Sequence, residues 1–395
     1  MQAAVCEDRK YGNREGRADM LDLSEVRGRI DQIDRMLVTL FRQRMDVCRD
    51  VAEFKIDTGK KVLDKARERQ KLETLGAMAQ TEFEKHGITE MFTQIMAISR
   101  KLQYQIMSDR GITEKVPFEP VEEIRRDGVT AVYQGVPGAY SHAAMLQYFG
   151  DDVKNFHVPN FEAAMKAAAE GEADYAVLPI ENSSAGQVGD VYDLLMKYDT
   201  TIVGEVYLPV SHCLLGLPGA DPEKIRTVYS HPQGLMQCAG FLNAHPQWQQ
   251  IGQANTAMAA QKVVSEKDPT CAAIASALAA KLYGLEVLNE HISNSTTNTT
   301  RFIVVTAKKQ YRADAKKVSI CFEIQHESGS LYNMLSHMIY NNLNMTKIES
   351  RPLPDRPFEY RFFVDFEGNL SDPAVENALL GIREEAQNLK ILGNY

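Results

Sequence analysis

Hydrophobic positions change their period twice along this chain, and each change marks a region of different architecture. Leu23, Val26, Ile30, Ile33, Leu37, Leu40, Val47, Val51 and Phe54 fall at alternating three- and four-residue spacings. That spacing is the seam of one helix of about 35 residues, roughly 50 Å long at 1.5 Å per residue. A helix of that length outruns one small domain and wants a partner chain. Gly59 ends it, and a second helix begins near Asp64, a good N-cap. A third follows Thr89, with Phe92, Ile95, Met96, Leu102 and Ile106 as its stripe. Residues 108–128 carry Pro117, Pro120 and many charges without an apolar period, which reads as a linker. From Thr130 short apolar blocks such as Ala131-Val132-Tyr133 and Thr227-Val228-Tyr229 alternate with helical stretches. That alternation predicts an α/β region with mostly parallel strands, in one sheet or two lobes. The last region reads strand 318–324, helix 330–340, strand 345–350, strand 360–366, helix 373–387, strand 390–392, a βαββαβ order that is ferredoxin-like.

The 395 residues allow two to four domains, and 44% hydrophobic with 25% charged residues is ordinary globular composition. No apolar run reaches the roughly 18 residues that span a bilayer. The first twenty residues are charged and lack the apolar core of a secretory signal. These features predict a cytoplasmic protein with no membrane partner. A net charge of -9 argues against nucleic acid as the main partner. The six cysteines are scattered without a CxxC or a neighbouring His at metal-ligand spacing, so neither a structural metal nor a cofactor is expected.

Polar residues interrupt the helical stripes. Arg44 stands where an apolar seam residue is due, and Lys55, eleven residues on, faces almost the same way. Arg27, seventeen residues before Arg44, points roughly 100° away. Asp64, Arg67 and Glu68 share one face of the second helix, and Ser99 and Gln103 interrupt the third stripe. A coiled-coil dimerisation region with one polar register residue has the same pattern. In the α/β region, polar groups follow strand ends: Gly135–His142, Glu181-Asn182-Ser183-Ser184-Ala185-Gly186, and Ser230-His231-Pro232-Gln233 with Gln237 one turn on. Asn298-Thr299-Thr300-Arg301 precedes the β-branched block Phe302–Thr306. Such positions are where open α/β folds place ligand contacts.

The segments Pro179-Ile180-Glu181-Asn182, Tyr229-Ser230-His231-Pro232-Gln233 and Thr300-Arg301-Phe302 together resemble the prephenate dehydratases. The N-terminal region resembles the all-helical chorismate mutases, and the C-terminal region an ACT domain, a small amino-acid-sensing module. The resemblance covers residues 21–395 and implies a multidomain bifunctional enzyme of phenylalanine biosynthesis. Its domains would be an extension 1–20, an all-α helical chorismate mutase 21–110, a linker 111–128, a two-lobed α/β periplasmic-binding-protein-like dehydratase 129–310 and a ferredoxin-like α+β ACT domain 316–395. Chorismate and prephenate are then the substrates and phenylalanine the effector, in a homodimer or higher homo-oligomer.

The resemblance also implies site residues. Arg27, Arg44, Lys55, Asp64, Arg67, Glu68, Ser99 and Gln103 fall on mutase binding positions, with Arg27 serving the neighbouring subunit. Lys55 and Gln103 would meet the charge growing on the ether oxygen, and arginines suit the two carboxylates. Thr300 is the catalytic residue of the dehydratase pattern, with Glu181, Asn182, Ser230, His231, Gln237 and Arg301 around the substrate. Arg301 has a structural role as its alternative, and water, His231 and a protonated Glu181 are the possible proton sources. Gly329-Ser330-Leu331 and Glu349-Ser350-Arg351-Pro352 match the segments that frame phenylalanine. A domain kept for dimerisation alone is the competing reading there, and a non-catalytic aromatic-amino-acid sensor is the competing reading of the whole chain.

Overall fold

The computed structural model describes residues 22–112, 116–354 and 356–395; the extension 1–20 lies outside them. The chain divides into two compact units, Met1–Thr113 and Glu114–Tyr395.

The first unit contains helices α1 (Leu23–Thr58), α2 (Lys65–Gly76) and α3 (Glu82–Asp109). Gly59 closes α1 at φ 65°, a left-handed position that suits glycine. Asp64 caps α2 by accepting the Arg67 N–H at 3.0 Å. α3 starts well ahead of the expected position after Thr89. Thr81 caps it through the Glu84 N–H at 3.1 Å, and the Glu84 carboxylate accepts the Gln80 N–H at 2.8 Å. Together these hold a first turn that the apolar stripe does not announce. Both α1 and α2 pack on α3. The seam of α1, however, stays open: Ile30 and Ile33 are each 52% exposed, Leu40 60% and Val47 61%.

Among its described residues the second unit has two large sheets and a two-stranded one. The smaller of the large sheets has five strands in the order Glu286–Asn289, Cys213–Gly216, Cys271–Ala275, Thr227–Ser230, Gln249–Gly252. The larger has ten, running Met345–Leu353, Arg356–Glu367, Lys317–Glu323, Asn388–Asn394, Thr201–Pro209, Thr299–Thr306, Tyr175–Asn182, Thr130–Gln134, Lys154–Val158, with Gly186–Gln187 paired onto Tyr175–Asn182. The chain leaves the first lobe along Thr201–Pro209, builds the second lobe, and returns along Thr299–Thr306.

Both strands that bridge the lobes are antiparallel to a neighbour, Thr299–Thr306 to Tyr175–Asn182 as well as to Thr201–Pro209. The expectation of mostly parallel strands is therefore corrected to mixed sheets. Short β-branched blocks predict strands but not their direction, which the crossings between lobes decide.

Residues 116–128 are not a free linker. Glu119–Val121 pairs in parallel with Gln310–Arg312, Val116 and Phe118 pack against the C-terminal core, and Ile124 is buried. The C-terminal strands lie in the order second, third, first, fourth, with helices Ser330–Tyr340 and Pro373–Glu385 between them. Phe363, Cys321 and Leu392 of that region share one core with Ala176, Leu178, Val191 and Leu195 of the first lobe. Among the described residues, no helix is long and apolar enough to cross a membrane.

Candidate functional sites

In the helical unit, the polar interruptions converge where α1 and α3 pack. The Arg44 guanidinium donates to the Ser99 hydroxyl and, at 3.4 Å, to the Ile95 carbonyl. Gln103 donates to the Ser99 carbonyl at 3.0 Å, while its own Oε1 is buried without a partner. Lys55, in the last turn of α1, donates to the Val62 carbonyl at 2.6 Å. Burial draws its ammonium below the ordinary value, against the attraction of Asp64 and Glu68.

Glu68 is gripped by Arg100, whose Nη1 lies 2.7 Å from both carboxylate oxygens. Arg100 is 7% exposed and belongs to this cluster, although the sequence reading passed it over. Its signal was present, since Arg100 and Gln103 share a helix face at i and i+3. Two expected members stand outside. Arg67 is exposed and turns to Gln70 at 3.2 Å, and Arg27 is exposed about 25 Å up α1 from Arg44. One chain therefore gathers Arg44, Lys55, Glu68, Ser99, Arg100 and Gln103, with Asp64 at their edge.

In the α/β unit, a cleft of about 610 Å³ opens between the lobes. One wall carries Asn182, Gly186, Gln187, Thr300 and Phe302; the other carries His231, Gln233, Gln237, Asn255 and Thr256. Tyr140, Ser141 and His212 also line it. Among the described residues that line it there is no Asp, Glu, Lys or Arg. Among the described residues five helices instead begin at its rim, Tyr140–Phe149, Phe161–Ala169, Gly189–Lys197, Pro232–Gln237 and Thr256–Glu266, so their N-terminal dipoles and amides supply positive potential.

Thr300 is 8% exposed, and its Oγ1 accepts the Asn182 Nδ2 at 2.9 Å. Asn182 cannot turn round, because its Oδ1 accepts the Ser184 and Ala185 N–H groups at 3.0 and 2.8 Å. Accepting from Asn182 leaves the Thr300 O–H as the donor. Facing it, His231 caps the Pro232–Gln237 helix by accepting the Gln233 N–H on Nδ1 at 3.2 Å, and burial lowers its pKa. The neutral ring then carries its proton on Nε2.

His212, absent from the expected set, is 1% exposed and lies between Tyr140 OH (3.0 Å) and Gln237 Oε1 (2.9 Å). Burial pushes its pKa below the ordinary histidine value, with the Gln237 bond opposing in part, so it is a neutral brace for Gln237. Tyr140 was inside a loop already read as a site; His212 sits in Val210-Ser211-His212, which no spacing singles out.

Three expected residues are not in the cleft. Thr300 and Asn182 are directly opposite each other across the ladder, and so are Arg301 and Glu181. Side chains alternate along a strand, so the second pair faces the other side of the sheet. Glu181 pairs there with Lys347 at 2.7 Å. Arg301 donates to Glu205 (2.8 Å), Asp365 (2.7 Å) and the Tyr395 hydroxyl (2.8 Å). Burial opposes its charge, but Tyr395, Asp365 and Glu205 hold its pKa above the ordinary guanidinium value. Arg301 is thus the structural residue of the two alternatives, and Glu181 is removed as a proton source. Ser230 is fully buried and donates to the Ile274 carbonyl at 2.7 Å, beneath the cleft floor.

In the C-terminal region, Gly329 (φ 80°) caps the Ser330–Tyr340 helix, on whose first turn Ser330 and Leu331 lie. Glu349, Ser350, Arg351 and Pro352 lie on the edge strand Met345–Leu353. Ser350 is exposed, and Arg351 pairs with Asp193 of the helix Gly189–Lys197 at 2.5 Å.

Residues 26–104 match the sequence profile of the family described as chorismate mutase type II, and residues 131–310 that of prephenate dehydratase. The bifunctional chorismate mutase/prephenate dehydratase of Enterobacter agglomerans is 34% identical over 379 residues, covering 94% of this chain and 95% of that protein. The solved prephenate dehydratase of Arthrobacter aurescens in complex with L-Phe is 29% identical with a TM-score of 0.63, over 68% of this chain and 89% of that one. A structure described as GqqA, a novel type of quorum quenching acylase, is 32% identical with a TM-score of 0.63, over 67% of this chain and 97% of its own.

Proposed function

Because the chain belongs to the bifunctional chorismate mutase/prephenate dehydratases, we propose how its own residues carry the two reactions. The enzyme rearranges chorismate to prephenate and then decarboxylates and dehydrates prephenate to phenylpyruvate. The first reaction is pericyclic and needs no nucleophile, so the protein's task is to hold the folded conformer and meet developing charge. Arg44 takes one carboxylate in a planar two-point grip. Lys55 and Gln103 donate to the ether oxygen as its bond to carbon breaks. Glu68, fixed by Arg100, accepts from the ring hydroxyl.

The enzyme works as a homodimer. The open seam of α1 supports this, since a second copy of the same helix covers it and brings its own Arg27 to the neighbouring site.

In the dehydratase step the ring carboxylate leaves as CO₂, the electrons of its broken bond complete the aromatic ring, and the ring hydroxyl takes up one proton, from solvent or from His231, and departs as water. Thr300 donates a hydrogen bond to the departing hydroxyl. One observation carries this role: Asn182, locked by its own turn, occupies the acceptor side of Thr300 and leaves its proton for the substrate. Prephenate is held by neutral donors, Gln237 and His231 among them, and by the helix N-termini at the cleft rim rather than by an arginine. Thr300→Val keeps the shape and removes the hydroxyl. It is expected to lower kcat for prephenate about 10²–10³-fold with KM little changed; a wild-type kcat refutes the role.

The C-terminal βαββαβ segment acts as an ACT domain through which phenylalanine inhibits the dehydratase. The strand order and the two matching segments support this reading, as does the L-Phe in the Arthrobacter aurescens structure. The test is the dehydratase rate with and without phenylalanine; no change at any concentration leaves dimerisation as the domain's role.

A further inference from the structure

Four charged side chains lie behind the cleft wall, on the face of the sheet turned away from the substrate. Arg301 and Glu181 are opposite each other on the two strands that carry Thr300 and Asn182. Lys347 and Asp365 are opposite each other on the strands Met345–Leu353 and Arg356–Glu367 of the C-terminal segment. The two pairs interlock: Arg301 meets Asp365 at 2.7 Å and Glu181 meets Lys347 at 2.7 Å. Arg301 and Asp365 have side chains 7% and 12% exposed, and Lys347 15%.

We propose that Lys347 and Asp365 are positioning residues of the dehydratase, holding the Asn182–Thr300 hydrogen bond in register through Glu181 and Arg301. This rests on the role given above to Thr300. The ladder between the two catalytic strands slips directly after Arg301, where Phe302 pairs with Pro179 and Ile180 is skipped. The strand ends beyond that slip are still paired, Thr300 with Asn182 and Leu208 and Arg301 with Glu181 and Tyr207, but the bulge uncouples them from the register of Phe302 onward, and a bulge of this kind re-aims side chains. The side chains one residue along add a second hold on those ends. Each clamped residue is the chain neighbour of a cleft residue, so a shift at the clamp is transmitted through a single peptide unit. Ser319 adds a second anchor by donating to the Asp365 Oδ1 at 2.5 Å, and Glu205 and Tyr395 complete the ring around Arg301. The C-terminal segment therefore completes the catalytic wall.

The test is steady-state prephenate turnover by the full-length enzyme carrying Lys347→Glu, Glu181→Lys, or both, with Thr300→Val as the control. Assays run well below each variant's unfolding midpoint and are normalised to mutase turnover of the same preparation. Lys347→Glu is expected to lower kcat about tenfold with KM within about twofold, and the reversed pair to return kcat to within about threefold of wild type. A Lys347→Glu enzyme with wild-type kcat, or a reversed pair no better than the single variant, overturns the proposal. A Thr300→Val enzyme with wild-type kcat overturns the underlying reading instead. Should charge reversal prevent folding, Lys347→Met and Glu181→Gln take its place. Each single change then lowers kcat, and the double is no worse than either alone; additive losses or unchanged rates count against the clamp.

Discussion

At the mutase cluster the contacts that join the helices run through full charges: Arg44 to Ser99, Glu68 to Arg100, and a Lys55 ammonium whose charge burial opposes. The dehydratase cleft is lined by amides, hydroxyls and two neutral imidazoles, with its ionised groups kept behind the sheet. In the proposed scheme prephenate, the product of one site and substrate of the other, meets cations in one and oriented dipoles in the other. The chemistries differ in the same way. Chorismate develops charge on an ether oxygen that a cation stabilises, whereas prephenate must lose CO₂ from a carboxylate. A cation paired with that carboxylate would stabilise the ground state against departure. A cleft of neutral donors orients the substrate without that penalty.

The largest expected effect comes from removing a charge at the charged site. Lys55→Ala is predicted to lower mutase turnover by about 10³-fold or more, since it removes the cation from a desolvated transition state. Dehydratase turnover of added prephenate stays at the wild-type level. Measuring both rates on one preparation checks the separation, and equal losses would break the comparison.

The seam of α1 is the next lever. Placing Asp at both Ile33 and Leu40 puts charges on the exposed face proposed to take a second copy. The account predicts a shift from dimer to monomer by sedimentation and a mutase loss of about 10²-fold, because the partner's Arg27 and a packed site go together. A variant that stays dimeric and fully active contradicts the use of that face.

How legible these two regions were follows from their periods. On a helix, residues three and four apart share a face, so Arg44, Lys55, Glu68, Ser99 and Gln103 could be grouped from spacing and resemblance, and the structure brings them together. Arg100 was legible by the same rule and was overlooked. The start of α3 was not legible, because it rests on Thr81 and Glu84 rather than on an apolar stripe. Strands are less forgiving. Glu181 and Asn182, or Thr300 and Arg301, are chain neighbours, and the pattern does not say which of two consecutive polar residues faces the cleft. Alternation sends one of each pair to the substrate and the other to the C-terminal segment. His212 was hidden because its partners, Tyr140 and Gln237, are distant in sequence.

Smaller effects sharpen the same contrast. Ser230 lies beneath the cleft, so Ser230→Ala is expected to reduce unfolding free energy by about 1 kcal/mol in denaturant titration and leave the prephenate KM unchanged. A raised KM with intact stability would return Ser230 to the substrate.

The least effect concerns pH. Burial lowers the pKa values of His142, His212 and His231. In the unfolded chain they titrate near about 6.5. Between that value and the lower folded ones, the unfolded state binds more protons. Stability of the α/β unit should thus be level above neutrality and decline as pH falls below about 6.5. Unfolding midpoints across that range test this, and His212→Gln should flatten the decline slightly.

The most direct test of the central claim, that two separate residue sets carry the two reactions, is to supply chorismate to Lys55→Ala, to Thr300→Val and to their mixture at neutral pH. The account predicts unchanged chorismate with the first, accumulating prephenate with the second and phenylpyruvate with the mixture. Phenylpyruvate formed at the wild-type rate by either variant alone would contradict it.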